Sequence, residues 1–79
     1  MMKFKSLETV VLKNDLPELG LRKGDLGVVV EAYEPDALEV EFLTASGRTE
    51  ALVTLKVADV RAVRESDLIT VRPFKRRTA

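Results

Sequence analysis

Short apolar, β-branched runs separated by turn residues mark the chain, one of them (Leu38 to Phe42) alternates strictly with polar residues, and no 3.6-residue apolar period persists for three turns. The pattern predicts short strands and no substantial helix. The β-branched run Leu7-Glu8-Thr9-Val10-Val11-Leu12 reads as the first strand. It stops at Lys13-Asn14-Asp15-Leu16-Pro17, because Pro17 has no amide to give a ladder and Asn and Asp favour turns. A long loop then leads to Arg22-Lys23-Gly24-Asp25, a turn by composition. Leu26 to Tyr33 is the clearest strand, with Leu26, Val28, Val30 and Ala32 on one face and Gly27, Val29, Glu31 and Tyr33 on the other. Glu34-Pro35-Asp36 ends it. Leu38-Glu39-Val40-Glu41-Phe42 alternates without a fault, which sends Leu38, Val40 and Phe42 to a core and Glu39 and Glu41 to water. Ser46-Gly47 marks a hairpin turn, and Glu50 to Leu55 is the return strand. Lys56-Val57-Ala58-Asp59 is too short for an α-helix and fits a single 3₁₀ turn, after which Val60 to Val63 forms a brief fifth strand.

Five short antiparallel strands, a long first loop, two tighter hairpins and a helical turn before the last strand describe an all-β, SH3-like barrel. It spans residues 7–63, with 1–6 as an N-terminal segment and 64–79 as a C-terminal extension. An open meander that dimerises through an edge and an OB-type barrel are the competing arrangements; the OB barrel usually asks for a longer chain. Within the extension, Leu68-Ile69-Thr70-Val71-Arg72 is apolar and β-prone. It predicts a sixth strand on the sheet edge, or pairing with the same segment of a second copy in a homodimer. Gly20, Gly24 and Gly27 stand where a loop turns back into a strand, the setting in which glycine relieves a backbone corner. A phosphate cradle is the alternative for them, but no helix N-terminus follows to aim amides at an anion.

A chain of 79 residues makes one domain with a thin core, burying only about 60% of the surface its unfolded form exposes. It has no cysteine, so neither a disulfide nor a thiolate metal site can staple it, and a reducing cytosol suits it. No apolar run nears the ~20 residues of a membrane span, and Met1 to Ser6 is too short and too charged for a signal peptide, so a cytoplasmic location is expected. The net charge is zero but unevenly placed. Residues 1–63 hold 8 Lys and Arg against 11 Asp and Glu, whereas residues 64–79 hold 5 against 2.

One stretch resembles a known family. The run Asp15-Leu16-Pro17-Glu18-Leu19-Gly20-Leu21-Arg22-Lys23-Gly24-Asp25-Leu26-Gly27-Val28-Val29-Val30 is similar to the opening of a small bacterial family, domain of unknown function 4926. The likeness continues through Tyr33-Glu34-Pro35, Glu39-Val40-Glu41-Phe42, Gly47-Arg48-Thr49 and Ala51-Leu52-Val53-Thr54-Leu55, over roughly residues 7–63. The resemblance implies an SH3-like barrel without known enzymatic activity or assigned functional residues. It also implies a protein partner, since members are often encoded beside another small protein in the style of toxin–antitoxin pairs. Residues 64–79 have no clear counterpart in it.

Catalysis is not expected. The chain has no histidine and no cysteine, which removes the commonest general base, the thiol nucleophile and the usual zinc ligands. Ser6, Ser46 and Ser66 fall in termini or turns, and Glu39 and Glu41 read as the solvated face of an antiparallel strand rather than a carboxylate pair. Asp15, Glu18 and Asp25 match no calcium-loop spacing. No metal or cofactor is therefore expected. Two binding readings remain. The first is a protein-interaction module, with Leu16, Pro17 and Leu19 of the first loop and Tyr33 as candidate contacts; the competing reading has the loop leucines capping the barrel end. One Tyr and no Trp leave no aromatic groove for polyproline helices. The second is a nucleic-acid-binding barrel, with Arg72, Lys75, Arg76 and Arg77 neutralising phosphates and Phe74 stacking on a base. It ranks lower because the body is acidic, its sheet lacks the aromatics that would stack bases, and four cations bring only modest salt-dependent affinity.

Overall fold

The strands form where the alternation places them. In the computed structural model, which describes residues 2–74, they are β1 (Thr9–Leu12), β2 (Leu26–Tyr33), β3 (Ala37–Leu43), β4 (Thr49–Lys56) and β5 (Val60–Ala62). All pairings are antiparallel, in the order β4-β3-β2-β1-β5. A meander gives this order when its last strand returns beside its first. Leu55 of β4 and Val60 of β5 lie at opposite ends of that order, yet both are buried in one cluster with Val10, Leu12, Val29 and Leu38. The sheet is therefore curled around its core, and the fold is the expected all-β one.

Two 3₁₀ turns accompany the strands, where the sequence predicts one. Val57–Asp59 is the predicted turn before β5, and Pro17–Leu19 is a second inside the first loop. The latter begins on proline, whose fixed φ suits a first turn, and ends on Gly20 in the left-handed region (φ 72°). Leu16 and Leu21 close around it through reciprocal amide-to-carbonyl bonds of 2.9 and 3.1 Å.

β2 corrects the predicted faces. Val29 is fully buried whereas Val30 is 41% exposed, and the register slips between Val29 and Glu31. This bulge adds one residue to β2, so Gly27, Val29 and then Ala32 meet the core, while Val30 and Tyr33 face outward. Strict alternation had grouped Val29 with Tyr33; the bulge separates them. β3 needs no correction, since Leu38, Val40 and Phe42 are buried, and Glu39 and Glu41 accept hydrogen bonds from Thr54 and Thr49 on the outer face.

Both flanks contribute to the core. Phe4, in the N-terminal segment, is buried within it, and Phe74, in the extension, packs against it half-buried. The sixth strand does not form: residues 63–74 carry no ladder, and Leu68 to Arg72 has no regular secondary structure. β-propensity alone is not enough there, because the segment is pinned by side chains at its ends rather than laid against an edge.

One local device recurs at the corners. Four turns carry a cation followed three residues later by an acid: Lys5–Glu8, Arg22–Asp25, Lys56–Asp59 and Arg64–Asp67. In each the carboxylate accepts the backbone amide of the cationic residue, at 3.1, 2.8, 2.9 and 2.7 Å respectively. The acid closes the turn from inside by reaching back to the amide three residues before it, as the N3 acid of a capping box does for a helix.

Candidate interaction surface

The distinctive surface is built from the first loop and the extension. The loop is held shut by its own polar groups. Asp15 Oδ1 accepts the amide of Lys23 (2.8 Å), Leu12 donates its amide to the Asp25 carbonyl (2.9 Å), and Gly24 donates to the Leu12 carbonyl (2.8 Å). These bonds fix the Asp25 side chain at the loop's exit, where Oδ2 also takes the Arg22 amide.

Two ion pairs fasten the extension to this frame. The first joins β5 to the turn that follows it: Arg61 Nη1 donates to Asp67 Oδ2 (2.9 Å) and Nη2 to Oδ1 (3.0 Å), while Arg64 donates its amide to Oδ2. The Arg61 fork is the main reason that the Asp67 carboxyl is lowered to about 2, with the Arg64 amide adding to it. The second joins the extension to the loop: Arg72 donates Nε to Asp25 Oδ1 (2.9 Å), and Nη2 to both Asp25 Oδ2 (2.5 Å) and the Gly20 carbonyl (3.0 Å). Burial pushes the Asp25 carboxyl up, but the Arg72 fork and the Arg22 amide together outweigh it and hold the group below the usual carboxylate range.

Between the anchors, Leu68, Ile69 and Val71 are 87%, 69% and 96% exposed. No backbone hydrogen bond joins Leu68–Val71 to any described residue. The segment is thus an apolar strap, tied at Asp67 and Arg72 and bare in between. It borders an open groove of about 930 Å³ whose other walls include Leu21, Leu26, Phe42 and Leu43. A smaller recess of about 440 Å³ lies between Pro17, Gly20, Arg72 and Pro73.

The predicted contact residues divide among these features. Pro17 is exposed and lines the smaller recess, and Leu19 is exposed beside it in the sequence. Leu16 is half-buried against the core and Leu21 is buried, so the capping role holds for these two leucines. Tyr33 is 48% exposed at the far end of β2, a full strand away from Asp25. Of the nucleic-acid candidates, Arg72 is committed to Asp25 and Gly20, and Phe74 packs on the core. Lys75, Arg76 and Arg77 lie outside the described residues.

The residues that sequence reasoning missed are Asp25, Arg61 and Asp67, together with the Gly20 carbonyl. The repeated spacing of cation and acid was the available signal for Asp25 and Asp67, since it marks acids whose carboxylates are already oriented by a turn amide. Among the described residues no group of three or more His, Cys, Asp and Glu is placed to hold a metal ion, and no helix is long and apolar enough to cross a membrane.

Comparison with curated proteins gives no match, and comparison with solved structures gives none either. The family model described as Domain of unknown function (DUF4926) matches residues 6–62, more than half of the chain, and the protein belongs to that family.

Proposed function

We propose that this protein is a non-enzymatic interaction module that acts in the bacterial cytoplasm by binding a protein partner, such as the product of a neighbouring gene in toxin–antitoxin style. The observation that carries this reading is the strap. Ordering such a segment costs roughly 1–2 kcal/mol per residue in backbone entropy, and keeping its apolar side chains in water recovers none of it. Two ion pairs hold Leu68, Ile69 and Val71 in that position, which presents them in advance to a second surface. Pro17 extends the same side of the molecule, lining the recess with Arg72, whereas Tyr33 belongs to a separate patch. Among the described residues no observation favours the nucleic-acid reading, because Arg72 and Phe74 are engaged within the chain.

The test is an affinity pull-down of the tagged chain from its native lysate, with and without nuclease, alongside an Ile69→Lys, Val71→Lys variant. One stoichiometric, nuclease-resistant protein that the variant fails to retain is the expected result. Recovery of nucleic acid, or of proteins lost on nuclease treatment, would move the function to the basic residues instead.

A further inference from the structure

Asp25 presents a finished receptor for a guanidinium. The Arg22 amide orients its carboxylate, the Gly20 carbonyl stands beside it as a third acceptor, and the loop bonds from Asp15 and Leu12 hold both in place. Arg72 fills this receptor with a two-pronged fork, Pro73 carries the chain along the recess, and Phe74 settles on the core. The two halves differ in origin. Gly20, Arg22 and Asp25 lie inside the family-matched stretch, residues 6–62, whereas Arg72-Pro73-Phe74 lies outside it. Charge follows the same division, with acids in excess over residues 1–63 and cations in excess beyond.

We infer that Asp25 and the Gly20 carbonyl form a binding site for an extended arginine-bearing peptide, which the chain's own Arg72-Pro73-Phe74 occupies as an internal ligand. The occupant in trans is a segment of a partner protein carrying arginine followed by proline and an aromatic residue. Its guanidinium replaces that of Arg72, and its apolar residues run along the groove walled by Leu26 and Leu43. A tethered ligand competes at an effective concentration of about millimolar, so the partner segment must bind well enough to displace it. Arg72 is then a specificity filter, because only a peptide that reproduces the fork can take its place. The inference rests on the reading above only in that a protein partner binds this chain; it seats that partner's arginine on Asp25 in place of Arg72 rather than on the exposed strap, and it can be tested without any cellular partner.

The probe is a fluorescein-labelled synthetic peptide of residues 67–74, titrated by anisotropy into the full-length wild type and the full-length Arg72→Ala variant. The expected result is saturable binding to Arg72→Ala about tenfold or more tighter than to wild type. Adding Asp25→Asn to the protein, or replacing the peptide's arginine by alanine, should each remove about tenfold or more. Equal binding to wild type and Arg72→Ala, or binding indifferent to Asp25→Asn, would overturn the assignment. Should Arg72→Ala fail to fold, unlabelled peptide is titrated into wild type while the Arg72 Nε–H resonance is followed by NMR. A saturable shift of that resonance supports displacement, and an unmoved resonance at millimolar peptide overturns it. Sedimentation of the wild type as a dimer whose straps dock across the interface would assign the site to a second copy and overturn the separate partner. Failure of the pull-down alone leaves this titration untouched.

Discussion

Arg72 and Asp25 stand 47 positions apart in sequence and share a forked ion pair in which both oxygens of the carboxylate accept hydrogen bonds. The pair ties the extension to the exit of the first loop, and both side chains are largely withdrawn from water. A pair of this kind does more to fix geometry than to add net stability, because desolvation offsets much of the attraction.

Removing one partner leaves the other without its match. Arg72→Ala and Asp25→Asn are each expected to lower unfolding free energy by about 1–2 kcal/mol, discounted for residual solvent access. The double variant should cost clearly less than the two together. Chemical denaturation of the four proteins gives the coupling; strictly additive losses would show that the fork does not hold the strap.

The strap should also let go in acid. Asp67 has its carboxyl lowered from 3.8 to about 2, and Asp25 is lowered as well. Groups depressed in the folded state contribute stability that is fully present above the unfolded value and is lost as pH falls through the folded one. The anchors are therefore intact at neutral pH and release between about pH 4 and pH 2. Amide chemical shifts of Leu68 to Val71 should move in that window, and Asp67→Asn should remove the part of the transition that Asp67 causes. A strap whose shifts stay constant down to pH 2 would contradict the assignment.

The bulge in β2 makes adjacent valines unequal. Val29→Ala removes two methyl groups from a fully buried site and is expected to cost about 2 kcal/mol, whereas Val30→Ala on the outer face should stay within about 0.5 kcal/mol. Thermal or urea unfolding distinguishes them, and similar losses would place both residues on the same side of the sheet.

Gly27 allows the closest approach in the core. A Cβ at this position would stand 2.5 Å from Val40 Cγ1 and 3.0 Å from Phe42 Cε1. Gly27→Ala is expected to destabilise by about 1–3 kcal/mol through overpacking, and Val40→Ala should relieve part of that loss. A neutral Gly27→Ala would mean that β2 and β3 lie further apart than described.

Much of the fold was legible because its causes are local. The faultless alternation of Leu38 to Phe42 and the turn chemistry of Ser46-Gly47 act within a few residues, and both are found where the pattern puts them. The β2 bulge was not legible, because the adjacent Val29 and Val30 suit either face and the choice is made by β3 across the ladder. Leu68 to Arg72 misled for the opposite reason. Its composition favours a strand, but the tie between Arg72 and Asp25 connects distant parts of the chain, and no local rule foresees it. The candidate surface was legible only in part: Pro17 and Arg72 were each singled out, but for different partners, and the structure sets them around one recess.

The placement of the phenylalanines separates two units that are easily taken for one. The family signature covers residues 6–62, yet of the chain's three phenylalanines only Phe42 falls within it. Phe4 lies before it and Phe74 after it, and both pack into the common core. A fragment trimmed to the signature would keep the sheet's hydrogen-bond plan and lose two aromatic wedges that fill it. The stretch by which this chain is recognised is shorter than the stretch by which it folds, so expression boundaries belong outside both phenylalanines.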